Sequence, residues 1–348
     1  MPEEKNNREK VNPPQSGFRR RSYHTGGRTP RSPAFVSSTR QRSPIRRPSS
    51  GRRSFERKPR LPNYDPQNYQ APDAGRESVT ANLPAVGENI RIIPLGGVEE
   101  IGKNMTVIEI GEDIIVMDAG FQFRDENTPG VDYILPNTRY LEERKNKIRG
   151  VIITHGHLDH IGGIPYIMDR IGNPPLYSRA LTTIMIRKRQ EEFPHLPPLD
   201  IRIVEKEDNI MLGFLKVSFF AVTHTIPDSM GIIIHTPYGQ IVNPGDIKLE
   251  HEEGIPTERE EKEYARFQNE KTLLLMMDST NVDNPGFSTP EKLVHKNIEE
   301  IIKNTKRRLI IGTFASQLER IVAIIEAAER HGKKVVVEGR SMKTNIEV

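Results

Sequence analysis

The run Thr154-His155-Gly156-His157-Leu158-Asp159-His160 places three imidazoles and a carboxylate within six positions. Nitrogen and oxygen donors of these types suit hard-to-borderline divalent cations. A lone histidine is more often a satisfied core or surface residue than a ligand. Three of them beside a carboxylate, crowded at one loop end, repel and desolvate one another unless a positive charge compensates. The spacing lets His155 and His157 face one cation while Asp159 and His160, on the first turn of a following helix, face a second. Two more sites carry matching donors. His224 sits in Val222-Thr223-His224-Thr225-Ile226-Pro227-Asp228-Ser229, and Asp246 closes Asn243-Pro244-Gly245-Asp246. A carboxylate at such a turn can bridge two cations, which an imidazole cannot. Asp118, in Met117-Asp118-Ala119-Gly120, is suited to accept the other ring N–H of a ligating histidine and so orient it. His195, His235, His251, His295 and His331 have no companion spacing and read as structural or exposed. Gly96-Gly97 resembles a nucleotide loop only superficially, because no GxGxxG or GK[ST] pattern follows.

Each donor follows a short β-branched run, so strands must deliver them. Strand candidates bounded by Gly and Pro fall at 90–94, 106–110, 114–118, 151–154, 201–204, 215–221, 232–235 and 240–243. Helical stretches lie near 160–170 and 180–192, which makes the body α/β and rich in β. A second pattern starts near Lys271. It predicts a strand over 272–278, a helix from the Ser288-Thr289-Pro290-Glu291 start to about Lys303, a strand over 308–313, a helix over 318–331 and a strand over 334–337. Ile321, Ile324, Ile325 and Ala328 share one face of the latter helix and read as core. The chain stops soon after the last of these strands, which leaves a parallel sheet unfinished and predicts a truncated product of a longer gene. The Glu-rich stretch 250–271 links the two regions, giving a division into 1–88, 89–260 and 261–348.

Charge separates the first segment from the rest. The chain of 348 residues carries 51 Lys and Arg against 47 Asp and Glu. Residues 1–88 hold 18 of the basic and 8 of the acidic side chains, so the basic character belongs to an arm. This arm is rich in Arg, Ser and Pro, lacks apolar periodicity and reads as disordered. Phe18, Tyr23, Phe35 and Phe55 are interspersed among its arginines, a composition suited to RNA phosphates and base stacking. There is no cysteine, which excludes disulfides, thiolate metal sites and a cysteine nucleophile. No apolar run reaches the ~18 residues of a membrane span. The opening MPEEKNNREK lacks the apolar core of a secretory signal. A cytoplasmic protein without membrane contact is expected.

HGHLDH, preceded by MDAG and followed by a strand-end histidine and NPGD, resembles the metallo-β-lactamase superfamily. RIIPLGGVEEIGKNM, VTHTIPDSMG, NPGDIK and MDSTNVDNPGFSTPE extend the resemblance to the ribonuclease J family of the β-CASP branch, over residues 89–348. The resemblance implies an αββα sandwich with the start of an inserted β-CASP domain. It implies that His155, His157 and His224 bind one Zn2+, that Asp159 and His160 bind a second, and that Asp246 bridges them. Asp278, in MDST, matches the first β-CASP acidic motif and is the implied proton donor, while Asp159 orients the attacking water. The implied activity is zinc-dependent hydrolysis of RNA phosphodiesters, as a 5′-3′ exonuclease and/or endonuclease in RNA maturation and decay. Single-stranded, 5′-monophosphorylated RNA is the implied partner, with a homodimer or homotetramer as the complete assembly. The family continues beyond this end with a phosphate-binding motif and a further histidine ligand, so the second zinc site is one ligand short in this chain. Ser316-Gln317-Leu318-Glu319-Arg320 also departs from the Asn and His that the family carries before the arginine. Two alternatives are a metallo-β-lactamase-fold hydrolase of thioesters or lactones and an inactive, truncated RNA-binding subunit.

Overall fold

A computed structural model describes residues 89–124 and 128–347. The expected disordered arm, 1–88, lies outside the described residues. The first six-stranded sheet runs in the order β1 (Ile90–Gly96), β2 (Met105–Ile110), β3 (Asp113–Met117), β4 (Ile148–Ile152), β5 (Leu176–Ser178) and β6 (Ile201–Ile203). The pairings β1–β2 and β2–β3 are antiparallel, and those from β3 to β6 are parallel. A five-stranded sheet contains β7 (Asn209–Leu212), β8 (Leu215–Ala221), β9 (Met230–Thr236), β10 (Gly239–Asn243) and, at its edge, β11 (Thr272–Leu275). It is antiparallel from β7 to β10, and β11 joins β10 in parallel.

Alternation along the strands builds the layers. On β3, Ile114 and Val116 face one apolar cluster with Ile153, Ile161, Ile164 and Ile167, while Ile115 and Met117 face another. That second cluster fills the space between the sheets, where Ile108, Ile115 and Ile152 meet Val217, Phe219, Ile232 and Ile234. On β8 the next residue, Phe220, turns outward to Val222, Ile233 and Val242, covered by Tyr264 and Phe267. Tyr264 ends α4 (Glu258–Tyr264), and α1 (Leu158–Ile161), α2 (Ile164–Ile167) and α3 (Ala180–Gln190) belong to the other outer layer. Helix, sheet, sheet, helix is the αββα order, and burying both faces of each sheet explains the near-continuous apolar runs. The single helix expected near 160–170 is two short pieces, α1 and α2, separated by Gly162-Gly163.

The second pattern departs from expectation. β11 was expected to open a new sheet; it instead completes the second sheet of the sandwich, because its register against β10 lets Leu274 join the inter-sheet core. α5 (Glu291–Asn304) and α6 (Leu318–Arg330) form and pack through Ile302, Ala327 and Ala328. The strands expected over 308–313 and 334–337 are not formed. Ile310 is 87 % exposed and Val336 81 % exposed. A strand exists only with a hydrogen-bonded neighbour, and among the described residues neither segment has one. α5 also starts without the expected side-chain cap, with Pro290 preceding it. Glu291 instead accepts from Lys248 at 2.7 Å and from Arg320 at 2.8 and 2.9 Å.

Candidate metal centre

Topology delivers the polar residues to one rim. β3 and β4 run parallel, and two antiparallel steps make β8 parallel to β10, which is parallel to β11. The carboxyl ends of these strands are followed by Asp118, by His155 to His160, by His224, by Asp246 and by Asp278, respectively. Thr154 joins the two sheets there, its C=O accepting from Met230 N–H at 3.0 Å.

The donors form two groups with one member in common. His155, His157, His224 and Asp246 present ligand atoms within 4.8 Å of one another, and so do Asp159, His160 and Asp246. In the first group His155 Nε2 lies 3.0 Å from His157 Nδ1, and His157 Nδ1 lies 3.2 Å from His224 Nε2. Asp246 Oδ2 is 3.8 Å from His155 Nε2 and 3.7 Å from His224 Nε2. A tetrahedron with zinc–nitrogen bonds of 2.0–2.1 Å has edges of about 3.3 Å, so the four atoms fit one cation. In the second group His160 Nε2 lies 3.3 Å from Asp246 Oδ1 and 3.4 Å from Asp159 Oδ2. Asp246 thus turns one oxygen to each group.

The outward ring nitrogens of His155, His157 and His160 are engaged by the protein, which fixes the direction of their inward lone pairs. His155 Nδ1 is 3.1 Å from Thr154 Oγ1. His157 Nε2 is 3.2 Å from Thr225 Oγ1 and 3.4 Å from the Ser316 carbonyl. His160 Nδ1 is 2.9 Å from Asp118 Oδ2. Asp118, at φ 61°, also accepts from Thr154 N–H at 2.8 Å. Gly120 has to lack a side chain, since a Cβ there would lie 1.5 Å from the Asp159 carbonyl oxygen. Asp278 stands beside the groups and belongs to neither. Its carboxylate accepts from Thr280 N–H at 2.8 Å and from Ile247 N–H at 3.5 Å.

In the first group the charges divide as a cation site requires, while His160 in the second is favoured in its protonated form and would give up that proton to ligate. Burial, reinforced by its histidine neighbours, pushes His155 well below the ordinary imidazole value. Burial likewise lowers His157 and, with His157 alongside, pushes His224 down to about 4. Burial pushes Asp246 up, but the hydrogen bond and charge of His160, with His224 and His157, outweigh it and hold the carboxyl at about 2. Burial also works against a charged His160, and Asp118, Asp159 and Asp246 together hold it well above its ordinary value. Three neutral imidazoles and an ionised carboxylate are the ligating forms. Thr154, Thr225, Ser316 and Asn104, all in contact with the donors, escaped the sequence reading. Their hydroxyl, carbonyl and amide groups carry no compositional signal.

Comparison with known proteins agrees with this geometry. The model of the metallo-beta-lactamase superfamily matches residues 99–282. The chain belongs to the metallo-β-lactamase superfamily. The model of the ribonuclease J beta-CASP domain matches residues 306–348, placing the chain in the ribonuclease J branch. Ribonuclease J of Thermus thermophilus is 39 % identical over 266 residues, 73 % of this chain and 46 % of that protein. Ribonuclease J2 of Bacillus subtilis is 36 % identical over 261 residues, 75 % of this chain and 47 % of that protein. The chain therefore spans under half the length of these relatives. A crystal structure of a protein of unknown function from Enterococcus faecalis V583 superposes with a TM-score of 0.53 at 19 % identity, covering 72 % of this chain and 71 % of that one, and shows the same fold. Among the described residues no helix is long and apolar enough to cross a membrane.

Proposed function

We propose that the chain carries the metal-binding part of a zinc-dependent ribonuclease of RNA maturation and decay, acting in the cytoplasm on single-stranded, 5′-monophosphorylated RNA. The observation that carries this reading is Asp246, with one oxygen turned to His155 and His224 and the other to His160. His155, His157 and His224 would hold one zinc, Asp159 and His160 a second, and Asp246 would join them. Two divalent cations so held would supply a water acidic enough to act as hydroxide near neutral pH, and positive charge against the phosphate oxygens. Asp159, beside His160, would orient that water toward phosphorus. Asp118 holds His160 in a fixed orientation. Asp278, held beside Asp246 through Ile247 N–H, is the candidate donor of the proton to the leaving oxygen. Exonuclease and endonuclease action both fit this chemistry, and a homodimer or homotetramer is the proposed assembly.

The domain division belongs to the same reading: an arm over 1–88, a metallo-β-lactamase part, and the start of a β-CASP part. Since β11 belongs to the sandwich, the second boundary moves from 261 to beyond β11. The relatives' printed names support RNA over a small ester. The test is direct. With zinc, the chain should shorten a labelled 5′-monophosphate RNA and leave a chromogenic thioester or lactone intact, and His157→Ala should abolish the cleavage. Turnover of the ester with RNA untouched would replace the reading by the small-ester hydrolase. RNA binding without turnover would replace it by a non-catalytic binding subunit.

A further inference from the structure

Asn104 belongs to neither donor group, yet its side chain ends among them. Its Nδ2 donates to Asp159 Oδ2 at 3.2 Å and lies 3.0 Å from His160 Nε2. Asp159 and His160 are the donors that the second group does not share with the first. The main chain of Asn104 is tied to the same region. Its N–H donates to the Asp159 carbonyl at 3.0 Å, and its carbonyl accepts from Gly120 N–H at 3.0 Å. Among the described residues no hydrogen bond links Asn104 to His155, His157 or His224.

The space behind the carboxamide is kept open. Gly97 has φ 83°, and a Cβ on it would lie 2.2 Å from Asn104 Oδ1. Gly97, in a pair unsuited to a nucleotide, is here a surface without a side chain against which the amide rests. A carboxylate that ligates a cation keeps lone pairs to spare, and a neutral N–H donor on one of them fixes its orientation without cancelling its charge.

We propose that Asn104 is a positioning residue of the second cation site, holding the Asp159 carboxylate against His160 and so setting the affinity of that site alone. The proposal rests on reading the two groups as cation sites. Zinc titration of the chelator-stripped 348-residue chain by calorimetry, with bound zinc counted by elemental analysis, tests it without reference to activity. The wild type should take two equivalents. Asn104→Leu, of similar size but without a donor, should keep the first equivalent unchanged and weaken the second roughly 10–100-fold. Gly97→Ala, which crowds the amide from behind while leaving Asp159 and His160 intact, should weaken the second in the same direction. An unchanged second equivalent in both variants, or equal loss of both equivalents, overturns the role of Asn104 and leaves the metal centre standing. A wild type that takes one equivalent overturns the role as well. A wild type that takes none overturns the metal centre and the role together.

Discussion

His157 shows how tightly the centre constrains a single residue. Nδ1 faces His155 and His224, and Nε2 faces Thr225 and the Ser316 carbonyl. The neutral state of such rings has a measurable signature. An imidazole with an ordinary value near 6.5 that is held at about 4 in the folded chain, as His224 is, binds fewer protons folded than unfolded between those values. Its contribution to stability is therefore present above about pH 6.5 and is lost as pH falls through about 4. Zinc affinity at the first group should accordingly stay nearly level below neutrality and collapse near pH 4, read by titration at descending pH. A decline setting in at 6.5 would mean exposed, unperturbed rings. The cluster from His155 to His160 could be read from sequence because its six positions are contiguous in the chain and their mutual repulsion has a single remedy. Asn104 could not, because it lies 55 residues from Asp159 and an amide in a Gly-rich loop has many uses. The solitary histidines are equally instructive. His235 pairs with Ser218 at 2.6 Å, His251 with the Ser288 carbonyl at 2.8 Å and His331 with Glu299 at 3.2 Å, so ordinary protein partners satisfy them.

At the scale of elements, patterning predicts an apolar face but not what covers it. β3, β4, β8, β9 and β10 were legible because two buried faces demand dense runs of Ile, Val and Phe. The segments 308–313 and 334–337 carry the same composition, yet strand formation depends on a neighbour that composition does not name. The same gap misplaced β11, whose partner β10 lies about 30 residues earlier in the chain. Glu291 was read as part of a helix start, a local role. Its actual partners are Lys248, 43 residues away, and Arg320, 29 residues away. This cluster fastens α5 and α6 to the turn after β10. Burial pushes the Glu291 carboxyl up, but Lys248 and Arg320 outweigh it and hold it low. Glu291→Ala should speed amide exchange throughout α5 and α6 while β3 and β4 exchange as before. Unchanged protection in both helices would show that Ile302 and its apolar neighbours suffice.

At the scale of the molecule, charge is unevenly distributed along the chain. The body presents acidic and neutral ligands for cations, whereas residues 1–88 concentrate 18 Lys and Arg against 8 Asp and Glu. If the arm gathers phosphates, deleting 1–88 should weaken RNA binding and flatten its dependence on salt, while zinc content stays the same. Equal salt slopes with and without the arm would assign the electrostatics to the body.

Asp246 hangs from the second sheet and His155 from the first, and they meet across the rim. A cation caught between them is therefore a fastener between two slabs that at that margin also share the hydrogen bond from Met230 N–H to the Thr154 carbonyl. Heating should reveal it: zinc at a hundredfold excess over its dissociation constant adds about 2.7 kcal/mol, which lifts the melting temperature of a body this size by roughly 5–10 °C. Sequestering the ion should return the midpoint to its lower value, with both slabs coming apart in one transition.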